Sequence, residues 1–269
     1  MARTSVTNPT HWARFRTTGG TVGFGTWNGA RLTEYAGDMF DAPRSTGRTF
    51  AIDDVTLLPP CVPSKMVALW NNFGALAAKL GKAAPRHPLF LLKPGTSLGG
   101  PGDRIVRPTG YAGKIAYEGE LGIVIGRRCK DVPLDAAARY IFGYTCVNDV
   151  TAGDLLNETP DFAQWCRSKG FDTFGIIGPY IATTFDWART HVMTRVGGVE
   201  RQNYALSDML IPPLELVSRI SHDMTLLPGD VIACGTSLGV GSMKEGVDVE
   251  VSIEGIGSLV NALATPTSS

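Results

Sequence analysis

A chain of 269 residues with 43% hydrophobic and 19% charged residues and no net formal charge has the composition of a globular protein with a sizeable core. The zero balance removes any bulk electrostatic pull toward nucleic acid or an anionic membrane, and no apolar run approaches the roughly 20 residues of a spanning helix. The 32 glycines and 17 prolines favour tight turns and short strands over long helices.

The segment MARTSVTNPTHWARFR has no apolar core of a signal peptide, so the expectation is a soluble cytoplasmic protein. Residues 11–58 read as short strands, with TTGG and WNGA as hairpin-type turns. LLPPCVPSK, residues 57–65, carries three prolines and reads as a connector. It suggests a small N-terminal β-rich domain over 1–62 and a larger domain over 63–269. MVALW (66–70) reads as a buried strand, ALAAKLG (75–81) as a short helix stopped by Gly81, and LFLLKP (89–94) as a strand. KIAYEGELGIVIG (114–126) reads as one long or bulged strand, 133–140 as a helix with Pro133 near its start, and 141–147 as a strand. TAGDLLNE starts a further helix. Strands follow near 176–184, 191–196, 231–234 and 247–254, with a helix near 213–221. The tail ATPTSS is the one low-complexity stretch. The balance predicts an α+β, strand-rich fold, a mixed sheet rolled or sandwiched rather than a βαβ repeat.

The five cysteines, Cys61, Cys129, Cys146, Cys166 and Cys234, form no CxxC pair and have no histidine at metal-site spacing. They read as free buried thiols in a reducing compartment. The strongest chemical signal is Glu118-Gly119-Glu120. Residues two apart on a strand share a face, so both carboxylates project together beside the apolar LGIVIG. Buried together they repel, and either one holds a proton or a cation lies between them; a solvent-facing acidic pair on an edge strand is the equal alternative. Asp149 ends an apolar strand and suits either a site or a helix N-cap. Three carboxylates without His or Cys suit Mg²⁺, Mn²⁺ or Ca²⁺ and not Zn²⁺. Lys169, near Phe171 and Phe174, and Lys93, closing an apolar strand, need an anion if they are buried. The turn GTSLGVG (235–241), with Thr236 and Ser237, offers hydroxyls and backbone N–H groups to an anion. None of His11, His87, His191 and His222 sits in a nucleophile or HExxH motif.

Taken together, YEGELGIVIG, GYTCVNDVTAGDL, SKGFDTFGIIGP and GDVIACGTSLGVGSM, in that order, resemble the fumarylacetoacetate hydrolase superfamily, with weaker matches in PSKMVAL and LFLLKPGTSLGGPGDRI. The resemblance spans about residues 63–260. It implies a mixed β-sandwich roll, a homodimer, and a Mg²⁺ or Mn²⁺ ion held by Glu118, Glu120 and Asp149. It also implies Lys169 as the site lysine and Thr236 beside the carboxylate of a small-molecule substrate; Lys169 and Glu120 are the catalytic candidates, and Lys93, Ser237 and Gly74 are further candidate substrate contacts. Many relatives carry a His-Ala-x-Glu dyad on a helix-bearing lid. Here the matching stretch, NNFGALAA, puts Gly74 at the histidine's place and Ala77 at the glutamate's, and AGDLL replaces the usual Arg and Gln with Gly153 and Leu156. The expected chemistry is hydrolysis or isomerisation of an acylpyruvate or 2-hydroxydienoate through an enolate, with His87 as a substitute base. The alternatives are decarboxylation of a β-keto dicarboxylate, and a member that binds without catalysis.

Overall fold

The computed structural model describes residues 10–265; the start of the signal-peptide reading and most of the ATPTSS tail lie outside them. Five strands open the chain: β1 (His11–Thr17), β2 (Val22–Trp27), β3 (Leu32–Asp38), β4 (Asp41–Phe50) and β5 (Val55–Leu58). Then come β6 (Met66–Trp70), helix α1 (Gly74–Lys79), β7 (Leu89–Lys93), β8 (Leu98–Gly99), β9 (Arg104–Val106), β10 (Ile115–Tyr117), β11 (Gly119–Ile125), β12 (Ile141–Asp149) and β13 (Thr151–Ala152). Helix α2 (Trp165–Lys169), β14 (Gly175–Ala182), β15 (His191–Val196), β16 (Val199–Ala205), helix α3 (Pro213–Asp223), β17 (Val231–Ala233), β18 (Gly241–Ser242), β19 (Asp248–Ile253) and β20 (Gly257–Ala264) complete it.

The largest sheet runs β4-β3-β2-β1-β14-β12-β11-β17-β6-β7. The N-terminal strands continue it, because β1 pairs antiparallel with β14. The sheet also curls back on itself. After β7, one 3₁₀ turn (Gly95–Ser97) leads to β8, which lies parallel against β14. This roll encloses an apolar core of Met66, Ala68, Leu91, Val124, Val147, Ile177 and Val231. A second sheet, β16-β15-β19-β20-β9, covers its outside. Leu121 and Ile123 of the roll meet Val192, Val251 and Leu259 of that sheet in one cluster, which α3 joins through Leu216, Val217 and Ile220. The architecture is the strand-rich mixed roll that the sequence implies.

Strand periodicity sets the faces around the acidic pair. Ile115, Tyr117, Leu121, Ile123 and Ile125 pack outward against the second sheet. Val124 packs inward, and Glu118, Glu120 and Gly122 share its parity. Gly119 lies close against the second sheet: a Cβ there would overlap Thr194 Oγ1, so only glycine fits between the two glutamates.

Several elements differ from expectation. Residues 134–140 form a 3₁₀ helix, and the helix expected from Thr151 is β13 plus a single 3₁₀ turn, Gly153–Leu155. Strands β16 and β20 and helix α2 appear where no element is predicted. All five cysteines are free and four are buried, but Cys166 is exposed on α2, against the expectation of burial. No helix among the described residues is long and apolar enough to cross a membrane.

Candidate metal centre

The roll brings Glu118, Glu120 and Asp149 together at one end of its interior, with one carboxylate oxygen from each lying within 4.8 Å of the others. Strand pairing does this. Gly119 pairs with Asn148, and the Asp149 amide donates to the Glu118 carbonyl at 2.9 Å, so Asp149 lies across from Glu118. Glu120 and Asp149 have no solvent exposure, whereas the Glu118 side chain keeps 16% of its surface. Glu118 is therefore the open side of the cluster. Asp149 ends β12 and caps no helix, which removes its simpler reading.

Two lysines answer the three carboxylates. Lys169, on the last turn of α2, donates to Asp149 Oδ2 at 2.5 Å and to Glu118 Oε2 at 3.0 Å. Ser168 anchors that turn through its hydroxyl on the Ala152 carbonyl, 3.0 Å. Lys93, fully buried at the end of β7, pairs with Asp149 Oδ1 and reaches the Val150 carbonyl at 3.3 Å. Glu118 Oε1 accepts from Thr151 Oγ1 at 2.6 Å. Glu120 Oε2 accepts from the Gly235 amide at 2.9 Å, and Glu120 Oε1 is buried with no partner among the described residues.

The electrostatics follow. Burial, then the charges of Asp149 and Glu118, push the Glu120 carboxyl well above the usual carboxylate range. Burial would raise Asp149 too, but Lys169 and Lys93 override it and hold it below its ordinary value. Burial works against a charged Lys169, yet Asp149, Glu118 and Glu120 outweigh it and raise its pKa. Lys169 thus keeps its proton and is a fixed positive charge, not a base. Lys93 is lowered, first by burial.

A buried carboxylate oxygen without a partner among the described residues, beside two further carboxylates, is what a hard cation satisfies. The all-oxygen set fits Mg²⁺ or Mn²⁺ and lacks the soft ligands that favour zinc.

Thr236, 8% exposed, donates its hydroxyl to the carbonyl of Gly119, the residue between the two glutamates, at 3.0 Å. Ser237 Oγ is buried without a partner. Gly74 opens α1, and a Cβ there would crowd Asp208 Oδ1; the same carboxylate accepts from the Ala75 amide at 2.9 Å. Ala77 is buried. Neither position carries a proton donor or acceptor on its side chain. Just before α1, Asn72 Nδ2 donates to the Cys234 carbonyl at 2.8 Å, one residue before the amide that holds Glu120. His87 is exposed, and no side-chain hydrogen bond joins it to the cluster; the structure does not bring it into the site. Sequence reasoning misses Thr151, Asn72, Gln202 and Tyr204. The last two alternate inward along β16, a pattern hidden by their polar neighbours.

The family model described as fumarylacetoacetate (FAA) hydrolase C-terminal matches residues 65–264. The chain belongs to the fumarylacetoacetate hydrolase family. A second model, Rv2993c-like, N-terminal, matches residues 10–60. Protein Rv2993c of Mycobacterium tuberculosis is 43% identical over 231 residues, covering 85% of this chain and 86% of that protein. Among solved structures, 5-carboxymethyl-2-hydroxymuconate delta-isomerase from Mycobacterium smegmatis is 40% identical, with a TM-score of 0.87 over 95% of this chain and all of that one (100%). Maleylpyruvate hydrolase from Sphingobium sp. SYK-6, in complex with manganese(II) and pyruvate, is 25% identical, with a TM-score of 0.77 over 96% and 100% of the two chains. This family member thus shares its fold with both isomerases and hydrolases, and it carries an acidic triad.

Proposed function

We propose that this family member is a divalent-cation-dependent enzyme that hydrolyses or isomerises a small acylpyruvate or 2-hydroxydienoate carboxylate. The observation that carries the reading is the buried group of Glu118, Glu120 and Asp149, with Glu120 Oε1 unpartnered. The manganese and pyruvate named with the Sphingobium hydrolase, and the isomerase activity named with the mycobacterial relative, support it.

Glu118, Glu120 and Asp149 would hold Mg²⁺ or Mn²⁺, which supplies Lewis-acid stabilisation of negative charge on a 2-oxo acid. The remaining chemistry belongs to the chain. Lys169 keeps its proton beside Glu118, the open side of the cluster, and presents a second positive charge to an enolate oxygen. Lys93 has no exposed surface and orients Asp149 rather than meeting substrate. Thr236 faces the substrate carboxylate with its hydroxyl. Gly74 and Ala77 supply no base, so steps limited by charge stabilisation are favoured over those limited by water activation, which a base accelerates roughly 10²–10⁴-fold. The soluble enzyme works as a cytoplasmic homodimer on this reading.

The test is turnover of acylpyruvates, 2-hydroxydienoates and oxaloacetate with and without Mg²⁺ or Mn²⁺. Metal-dependent consumption of the first two classes without CO₂ release supports the reading. CO₂ release from oxaloacetate as the dominant activity would replace it with decarboxylation, and no turnover alongside intact metal binding would replace it with a binding role.

A further inference from the structure

We propose that Gln202, carried in from the second sheet, is a positioning residue that fixes the Thr236 hydroxyl as a donor toward the substrate's anionic group. The inference rests on the function proposed above and concerns a residue whose side chain makes no hydrogen bond to the three carboxylates among the described residues.

Gln202 is 1% exposed on β16, and every polar atom of its carboxamide is engaged. Its Oε1 accepts from the Gly119 amide at 3.0 Å and from Thr194 Oγ1 at 2.9 Å. Its Nε2 donates to Thr236 Oγ1 at 2.8 Å and approaches the carbonyls of Ser237 and Leu238 at 3.4 and 3.3 Å. Reversing the amide would set its NH₂ against the Gly119 N–H and its carbonyl against two carbonyls, so one orientation is enforced.

The consequence falls on Thr236. A hydroxyl has one proton and two acceptor positions. Because Gln202 donates into the Thr236 oxygen, that oxygen cannot use Gln202 as an acceptor, and its proton must go elsewhere. In this structure it goes to the Gly119 carbonyl, 3.0 Å. That carbonyl already accepts from Tyr204 OH at 2.6 Å, so it stays satisfied when Thr236 turns its proton toward an arriving carboxylate. Gln202 and Tyr204 together keep the Thr236 proton committed to donation and free to move. The same Gln202 oxygen restrains the amide between Glu118 and Glu120, which ties the hydroxyl and the acidic pair to one rigid strand.

The probe is oxalate, a planar analogue of the enolate of a 2-oxo acid, titrated calorimetrically into protein saturated with Mg²⁺, with Mg²⁺ affinity measured separately. Gln202→Glu keeps an acceptor for Gly119 and Thr194 but removes the donor to Thr236. Gln202→Met removes both without adding charge. Thr236→Val removes the hydroxyl. A hydrogen bond to a charged group lost in each case predicts oxalate binding about tenfold or more weaker. Gln202→Met combined with Thr236→Val should bind no more weakly than Thr236→Val alone, because the two residues act through one proton. Additive losses would overturn the inference while leaving the functional reading in place. A Gln202→Met protein that binds oxalate as tightly as wild type would also overturn it, since the Thr236 hydroxyl would then need no positioning by Gln202. Wild-type protein that binds Mg²⁺ but no oxalate would overturn both the inference and the reading beneath it.

Discussion

Replacing Glu120 with Gln should invert the protein's response to metal. At 4.8 Å, the widest spacing in the acidic group, two like charges repel by about 3.5 kcal/mol at an effective dielectric constant of about 20. Glu120 faces Asp149 and Glu118, and Lys169 offsets about one of them. Uptake of a proton further limits the penalty that the metal-free wild type bears at neutral pH. The Gln side chain keeps an oxygen for the Gly235 amide and removes the charge. Metal-free Glu120→Gln should therefore be more stable than wild type by about 1–3 kcal/mol, which is roughly 3–10 °C in Tm. Saturating Mg²⁺ reverses the order. At about 100 times its Kd, a ligand adds about 2.7 kcal/mol to wild type, and the variant, short of one anionic ligand, gains little. Scanning calorimetry with EDTA and then with MgCl₂, paired with isothermal titration of Mg²⁺, measures both halves. A metal-free variant that melts below wild type would show that Glu120 bears no electrostatic penalty, and one that binds Mg²⁺ as tightly would show that its charge is not a metal ligand.

The pH dependence has a defined sign. Glu120 is raised above its ordinary value of 4.5 by burial and its carboxylate neighbours, so the folded metal-free protein holds a proton that the unfolded chain has released. Its contribution is fully present below about pH 4.5 and is lost as pH rises through the raised value; denaturant titrations of metal-free protein from pH 5 to 8 should show a downward slope that is shallower in Glu120→Gln. Asp149 has the opposite sign. It is held below 3.8, so its contribution is lost only as pH falls below that value, outside this window. Lys169→Met leaves Asp149 and Glu118 short of a buried partner and should lower metal-free stability by about 3–5 kcal/mol and kcat by about 10²-fold or more; full activity in that variant, on a substrate that wild type turns over, would remove Lys169 from the mechanism. Asp208→Ala frees the Ala75 amide at the start of α1 and should destabilise by about 1 kcal/mol, seen as a Tm drop of roughly 2–4 °C.

How much of this the sequence discloses depends on whether the deciding contact is local. The acidic pair is legible because strand parity alone places Glu118 and Glu120 on one face, and the alternation from Ile115 to Ile125 holds through the break at Glu118. Asp149 and Lys169 are legible as family matches, and the β12 register and the α2 turn then bring them together. Strand β16 is not legible, since VERQNYA alternates polar with polar. Its inward Gln202 and Tyr204 are recognisable only once a second sheet lies over Gly119. Helix α2 is missed because five residues in a polar stretch carry no helical period; the Ser168 bond to Ala152 and the Lys169 ion pairs hold it. The helix expected from Thr151 fails for a similar reason: Thr151 and Ala152 pair with β10, and a ladder across the chain outweighs the local propensity of AGDLL. His87 has a plausible place in sequence, between a helix and a strand, but its exposure carries no link to the carboxylates.

Anomalous diffraction from crystals soaked in Mn²⁺ shows whether Glu118, Glu120 and Asp149 hold one divalent cation. The expected result is a single strong peak bound by one oxygen from each of the three carboxylates, at about 2.1 Å for the reach of a Mg²⁺ site, and no peak there in Glu120→Gln crystals soaked alike. A peak elsewhere with none among the three carboxylates, or an equal peak in the variant, would contradict it.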